Sequence, residues 1–180
     1  MSGWRNIFFE DGHPAYEYFH EDNKTYTVQI WDENNYEPLL KNGNGLIISG
    51  DGDNLINHTT YKDSICVESY HIRTNKKDTV YTICDTYVSY KGGLEKMYQK
   101  IKNRTNYSLN AWQRGHTGTV YVECIIDKDG IPTEIRVVEK VFYEFDLEAI
   151  KVVESLKKWI VGRHKGKPVK CLIVLPIEFY

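Results

Sequence analysis

From Ile7 to about Tyr90 the chain alternates short β-like segments with polar turns at close, fairly even spacing. The turns are Asp11-Gly12, Glu21–Lys24, Asp32–Asn35, Asn42–Gly45, Asp51–Asn54, Lys62-Asp63 and Thr74–Asp78. Between two of them, Tyr26, Val28 and Ile30 alternate with Thr25, Thr27 and Gln29. That period of two predicts a strand with one buried face. Asp-Gly and Asn-Gly favour tight hairpin turns because Gly and Asn tolerate positive φ. An all-β antiparallel meander is therefore expected over residues 1–90.

After Gly92-Gly93 the period changes. Leu94, Met97, Tyr98 and Ile101 fall at i, i+3, i+4 and i+7, which predicts a helix over Leu94–Lys102 with one apolar stripe. A second short helical piece is expected around Leu109–Gln113, closed by Gly115. Thr119–Ile126 reads as a strand, Asp127-Lys128-Asp129-Gly130 as a turn, and Thr133–Val141 as the hairpin partner. Asp146 is placed to cap a helix over Leu147–Lys158, with Leu147, Ile150, Val153 and Leu156 as its buried stripe and Trp159 at its end. Val169–Phe179, interrupted by Pro176, is the last strand. The fold class expected is thus α+β. Residues 91–180 form an α-β-β-α-β domain in which helices cover one face of a three-stranded antiparallel sheet.

Charge separates the same two halves. Residues 1–90 carry 7 basic and 14 acidic side chains, residues 91–180 carry 16 and 11, and the boundary expected from this reversal lies near Tyr90–Gly93. The basic excess forms no dense stripe with interleaved aromatics, so nucleic acid is not an expected partner. The longest apolar run, Cys171–Leu175, is far short of the roughly 18 residues a spanning helix needs. Met1-Ser2-Gly3-Trp4-Arg5-Asn6 has no apolar h-region, so neither a signal peptide nor an anchor is expected in this chain.

The cysteines Cys66, Cys84, Cys124 and Cys171 lack any C-x-x-C spacing, which argues against a zinc site or a redox motif. Cys124 and Cys171 lie inside β-like runs, where a buried free thiol is expected. Cys66 and Cys84 remain open to pairing across neighbouring strands in an oxidising compartment. Cys124 with His116, or Cys171 with His164, could form a nucleophile–base pair, and Asp127/Asp129 and Glu144/Asp146 are carboxylate pairs in turns that caps and Asx-turns explain. The two cysteines are mid-strand and no third orienting group is identifiable, so no catalytic residue, cofactor or metal is expected.

In the first half, Ile30-Trp31-Asp32-Glu33-Asn34, Leu39-Leu40-Lys41-Asn42-Gly43-Asn44-Gly45 and Tyr61-Lys62-Asp63 resemble degenerate MORN-type repeats. In the second half a longer string stands in order: Gly92-Gly93, Tyr107, Ala111, then Gly115-x-x-Gly118-Thr-Val-Tyr-Val. Asp127-Lys-Asp-Gly130, Asp146-x-x-Ala149 and Trp159-x-x-Gly162 follow, then Gly166-Lys-Pro168-Val169 and Pro176-Ile177-x-Phe179. This part, about half of the chain, resembles the TonB C-terminal domain.

The resemblance implies a periplasmic protein that is an energy transducer in transmembrane transport. It implies a partner, the TonB-box peptide of an outer-membrane receptor, held by β-strand addition to the last strand. The corresponding edge here is Val169, Lys170, Cys171, Leu172, Ile173, Val174 and Leu175. Either Leu172 and Val174, or Cys171, Ile173 and Leu175, must at the same time face the helices. The family's partner-touching segment ahead of the tyrosine reads Arg104-Thr105-Asn106 here, so Arg104, Asn106 and Tyr107 are expected partner contacts. Contact with an inner-membrane proton-motive complex would further require an anchor outside these residues. The alternative is a free-standing interaction or scaffold module that transduces no energy.

Overall fold

A computed structural model describes residues 3–22, 24–50, 55–106 and 114–180. The chain divides between Cys84 and Asp85 into two compact units.

In the first unit, β1 (Gly3–Phe8), β2 (Pro14–Glu21) and β3 (Lys24–Ile30) form one antiparallel sheet in chain order. β4 (Gly45–Gly50), β5 (Leu55–Lys62), β6 (Ile65–Arg73) and β7 (Asp78–Ile83) form a second antiparallel run, also in chain order. The turns are made by the residue types the sequence put there. Asp22, Asn42 and Asp63 hold positive φ (46°, 50° and 49°), which their short polar side chains tolerate better than most. Asp32 Oδ1 accepts from the Asn34 N–H at 2.8 Å, an Asx-turn. The expected turn at Asp51–Asn54 lies outside the described residues. The expectation for β3 needs correction: Ile30 is buried, but Tyr26 and Val28 are only half-buried. Among the described residues this unit contains strands and turns alone, so no helix closes over the sheet to make one face a core.

The second unit runs β8 (Ser89–Tyr90), α1 (Gly93–Arg104), β9 (Gly118–Ile126), β10 (Pro132–Glu139), α2 (Tyr143–Glu154), β11 (Trp159–Ile160), β12 (Gly162–His164) and β13 (Lys167–Phe179). It contains the three-stranded antiparallel sheet that the pattern predicts, and the strands take the order β10-β9-β13. Two further pairings were not legible: β12 folds back on β13, and β11 pairs with β8. Trp159 therefore opens a strand instead of ending a helix. Asp85, Thr86 and Lys91 also belong here by their hydrogen bonds. Thr86 and Arg163 exchange backbone bonds of 3.0 and 2.7 Å, the Lys91 N–H donates to the Lys158 carbonyl, and the Lys165 N–H donates to the Asp85 carboxylate.

The helices depart from the expected register. α2 begins at Tyr143, with Phe142 as N-cap, so Asp146 lies inside the first turn and accepts from the Val141 N–H at 3.2 Å. Its buried residues are Phe145, Ala149, Val152 and Val153, continued by Leu156, while Leu147 is 42% exposed. The earlier start rotates the stripe, because Phe145 offers more apolar area to the sheet than Leu147 does. Phe145 stacks on Phe179 with centroids 4.2 Å apart, and burying a side chain of this size contributes ~1.5–3 kcal/mol. On α1 only Met97 and Ile101 are buried, and Leu94 and Tyr98 are exposed. The helical piece expected over Leu109–Gln113 lies outside the described residues. Among the described residues no helix is long and apolar enough to cross a membrane.

Candidate functional site

β13 is the longest strand of the chain, and its burial alternates without a break: Cys171, Ile173, Leu175, Ile177 and Phe179 are buried, while Val174 and Glu178 are exposed. Of the two faces the sequence left open, the odd-numbered one is the core face. Its partners on β9 are Ile126, Cys124, Val122, Val120 and Gly118, so the core is built as matched cross-strand rows. On the other face, Val174 stands opposite Glu123, which holds Arg136 through Oε1 at 2.7 Å.

Pro176 does not interrupt the strand. It pairs in register with Tyr121, and the ladder to β9 continues to Phe179. Proline has no N–H, so in a continuous ladder it occupies a position whose nitrogen points away from the neighbouring strand. Backbone groups alternate sides along a strand, hence Leu172 and Val174 also aim their N–H and C=O away from β9. An independent contact agrees: the Leu172 carbonyl accepts from the Tyr87 hydroxyl, not from β9. Tyr87 was not among the residues expected at this edge. It lies far away in sequence, and nothing local to Tyr87 signals the contact.

Among the described residues, the two groups of expected site residues meet different neighbours. Val169–Leu175 occupies the first two-thirds of β13. Arg104 ends α1, and the Asn106 N–H donates to Glu148 Oε1 at 3.0 Å. The end of α1 instead meets the far end of β13, around a pocket of ≈ 460 Å³ lined by Tyr98, Ile101, Lys102, Thr105, Pro176, Glu178, Phe179 and Tyr180. Tyr107 lies outside the described residues. Tyr98, expected in the apolar stripe of α1, instead lines this pocket and is 48% exposed.

The cysteines are free thiols. Cys124 is buried in the core row of β9, and burial, with a smaller push from Glu123, moves its thiol up to about 12. A nucleophilic cysteine needs the opposite shift. His116 stacks on Phe142 with centroids 4.1 Å apart, and His164 faces Asp85 at 3.4 Å.

No curated protein and no solved structure matches the chain. A family model does match, over residues 103–180, and its description is Gram-negative bacterial TonB protein C-terminal. The matched stretch holds β9, β10, α2 and the whole of β13, the elements on which the site is built. Residues 103–180 of this chain thus match the family model of the TonB C-terminal domain.

Proposed function

We propose that the second unit acts as a TonB-like module in energy-coupled transport across the envelope. In this reading it binds an extended outer-membrane receptor peptide, of TonB-box type, by strand addition along Val169–Leu175. The family match over residues 103–180 supports the transport role and a non-enzymatic one. The observation that carries the strand-addition reading is the direction of the backbone. Leu172 and Val174 turn donor and acceptor groups away from β9, while the side chains of Cys171, Ile173 and Leu175 hold the strand to the core. Burial uses a face and recruitment uses an edge, so one strand serves both. The edge is not empty: Tyr87 already bonds the Leu172 carbonyl, and an incoming peptide must displace that hydroxyl.

The test is a proline scan of β13 in the full chain, read by peptide affinity and melting temperature. The probe is a dye-labelled synthetic peptide copied from the N-terminal segment of an outer-membrane receptor. Val174→Pro deletes an amide that does not serve β9, so it should spare the ladder to β9 and weaken binding at least ~tenfold. Ile173→Pro deletes an inward amide and should unfold the sheet. Titration at two salt concentrations adds a check, because the basic excess of residues 91–180 favours an acidic peptide flank through interactions that salt screens. If the wild-type chain binds no receptor peptide, or folded Val174→Pro binds normally, strand addition at this edge is wrong.

A further inference from the structure

β4 is the last strand of its sheet. It pairs with β5 along one side, and among the described residues it has no ladder on the other. Its sequence, Gly45-Leu46-Ile47-Ile48-Ser49-Gly50, contains neither a charge nor a proline, the two devices that most often guard an open edge. Leu46 is 50% exposed and Ile48 58% exposed. The neighbouring stretch of β5, Ile56–Tyr61, carries no carboxylate, lysine or arginine.

The backbone direction of this edge is set at its start. Lys41 and Asn44 exchange backbone hydrogen bonds of 2.9 and 3.0 Å, so Asn44 turns its amide and carbonyl away from β5. By alternation Leu46 and Ile48 aim theirs outward as well, while Gly45, Ile47 and Ser49 serve the ladder to β5. The outward donors and acceptors therefore sit on the same two residues whose side chains are exposed.

We propose that this chain forms a symmetric dimer by antiparallel pairing of β4 with β4 of a second copy. A two-fold axis normal to the sheet through Ile47 matches face to face, as an antiparallel ladder requires. It sets Leu46 opposite Ile48 of the second copy and Ile48 opposite its Leu46. Both pairs exchange their two N–H···O bonds, and Ile47 meets its own copy in the closer, non-hydrogen-bonded position. The exposed aliphatic side chains of both copies then form one cluster on one face, which is the contact that selects this register over its neighbours. Within β4 itself, Gly45–Gly50, no charge is buried. The turn at Lys41–Asn44 stops the ladder at one end, so the interface is short and the dimer reversible.

Sedimentation of the full chain over a concentration series tests this. The mass should rise from 21.1 kDa toward twice that value. Leu46→Lys with Ile48→Lys should keep the melting temperature, because both side chains are already exposed, and should raise the dissociation constant at least ~tenfold. Should that variant misfold, cysteine cross-linking decides. Ile47→Cys should form an oxidised dimer, whereas Ser49→Cys, opposite Gly45 of the second copy, and the wild-type chain should not. A wild-type chain that stays monomeric at its highest soluble concentration overturns the proposal. So does a dimer indifferent to the two lysines, or a cross-link at Ser49→Cys and none at Ile47→Cys.

Discussion

At the scale of single residues, Gly130 and Cys124 show how burial and backbone set what each position accepts. Gly130 closes the β9–β10 turn at φ +79°, and a Cβ there would lie 2.6 Å from the Trp159 carbonyl oxygen. Both strains act on backbone, which cannot swing aside. Gly130→Ala is expected to cost ~1–2 kcal/mol from the left-handed conformation alone, and more from the clash, seen as a lower chemical-denaturation midpoint. Gly118→Ala is the matched control: its φ is ordinary and the nearest atom belongs to the Val141 side chain, so it should cost less. A larger loss at Gly118 would refute this account of the turn. Cys124 predicts a pH dependence. Its folded thiol keeps its proton to about 12, whereas an ordinary cysteine thiol titrates near 9.0. Unfolding above pH 9 therefore releases a proton, so this contribution to stability is whole below 9 and fades as pH rises toward 12. Cys124→Ala should flatten the fall of the urea midpoint over that range, leaving the same-signed contributions of Tyr61 and Cys66. An unchanged slope would rule out Cys124 as a source.

At the scale of elements, α2 and β13 carry the second unit together. The stripe on α2 is Phe145, Ala149, Val152, Val153 and Leu156, and Phe145 meets β13 through Phe179. Phe145→Ala is expected to lose ~3–5 kcal/mol, as large-to-small core changes do. Leu147→Ala, at a position 42% exposed, should stay within about 0.5 kcal/mol, a surface-sized effect. Comparable losses at the two positions, measured by urea unfolding, would restore the helix register that periodicity alone suggests. The same elements explain why Pro176 is tolerated in the middle of a long strand. Its missing donor faces away from β9, so the ladder in the core loses nothing.

At the scale of the whole molecule, two differently charged and differently built units share one chain. Among its described residues the acidic first unit is strands and turns, and Ala15, Ile30, Leu40 and Val80 are the buried apolar ones, with Cys84 at its end. The second unit concentrates its core between one sheet face and α2. Single backbone positions of β13 and β4 distinguish the two units. In the second, the Tyr87 hydroxyl sits on the Leu172 carbonyl. In the first, β4 carries no guard, and self-pairing is the arrangement that satisfies it without burying a charge within β4.

Local rules were enough for much of this protein. The hairpin turns at Asp11-Gly12, Lys62-Asp63 and Asp127–Gly130, the strands of the β10-β9-β13 sheet and the family string from Gly115 to Phe179 were all legible. Each depends on neighbours a few residues away, through positive φ, a period of two, or a fixed order of glycines and aromatics. What only the tertiary structure decided depends on residues distant in sequence. The register of α2 followed from Phe179, which gives Phe145 a partner that Leu147 lacks. The face of β13 turned to the core was chosen by β9, and both faces of that strand were apolar enough to serve. The pairing of β8 with β11 and the reach of Tyr87 to Leu172 join segments separated by some seventy residues or more. No local period encodes such a pairing, because its free energy is gained only when the rest of the fold has brought the two segments together.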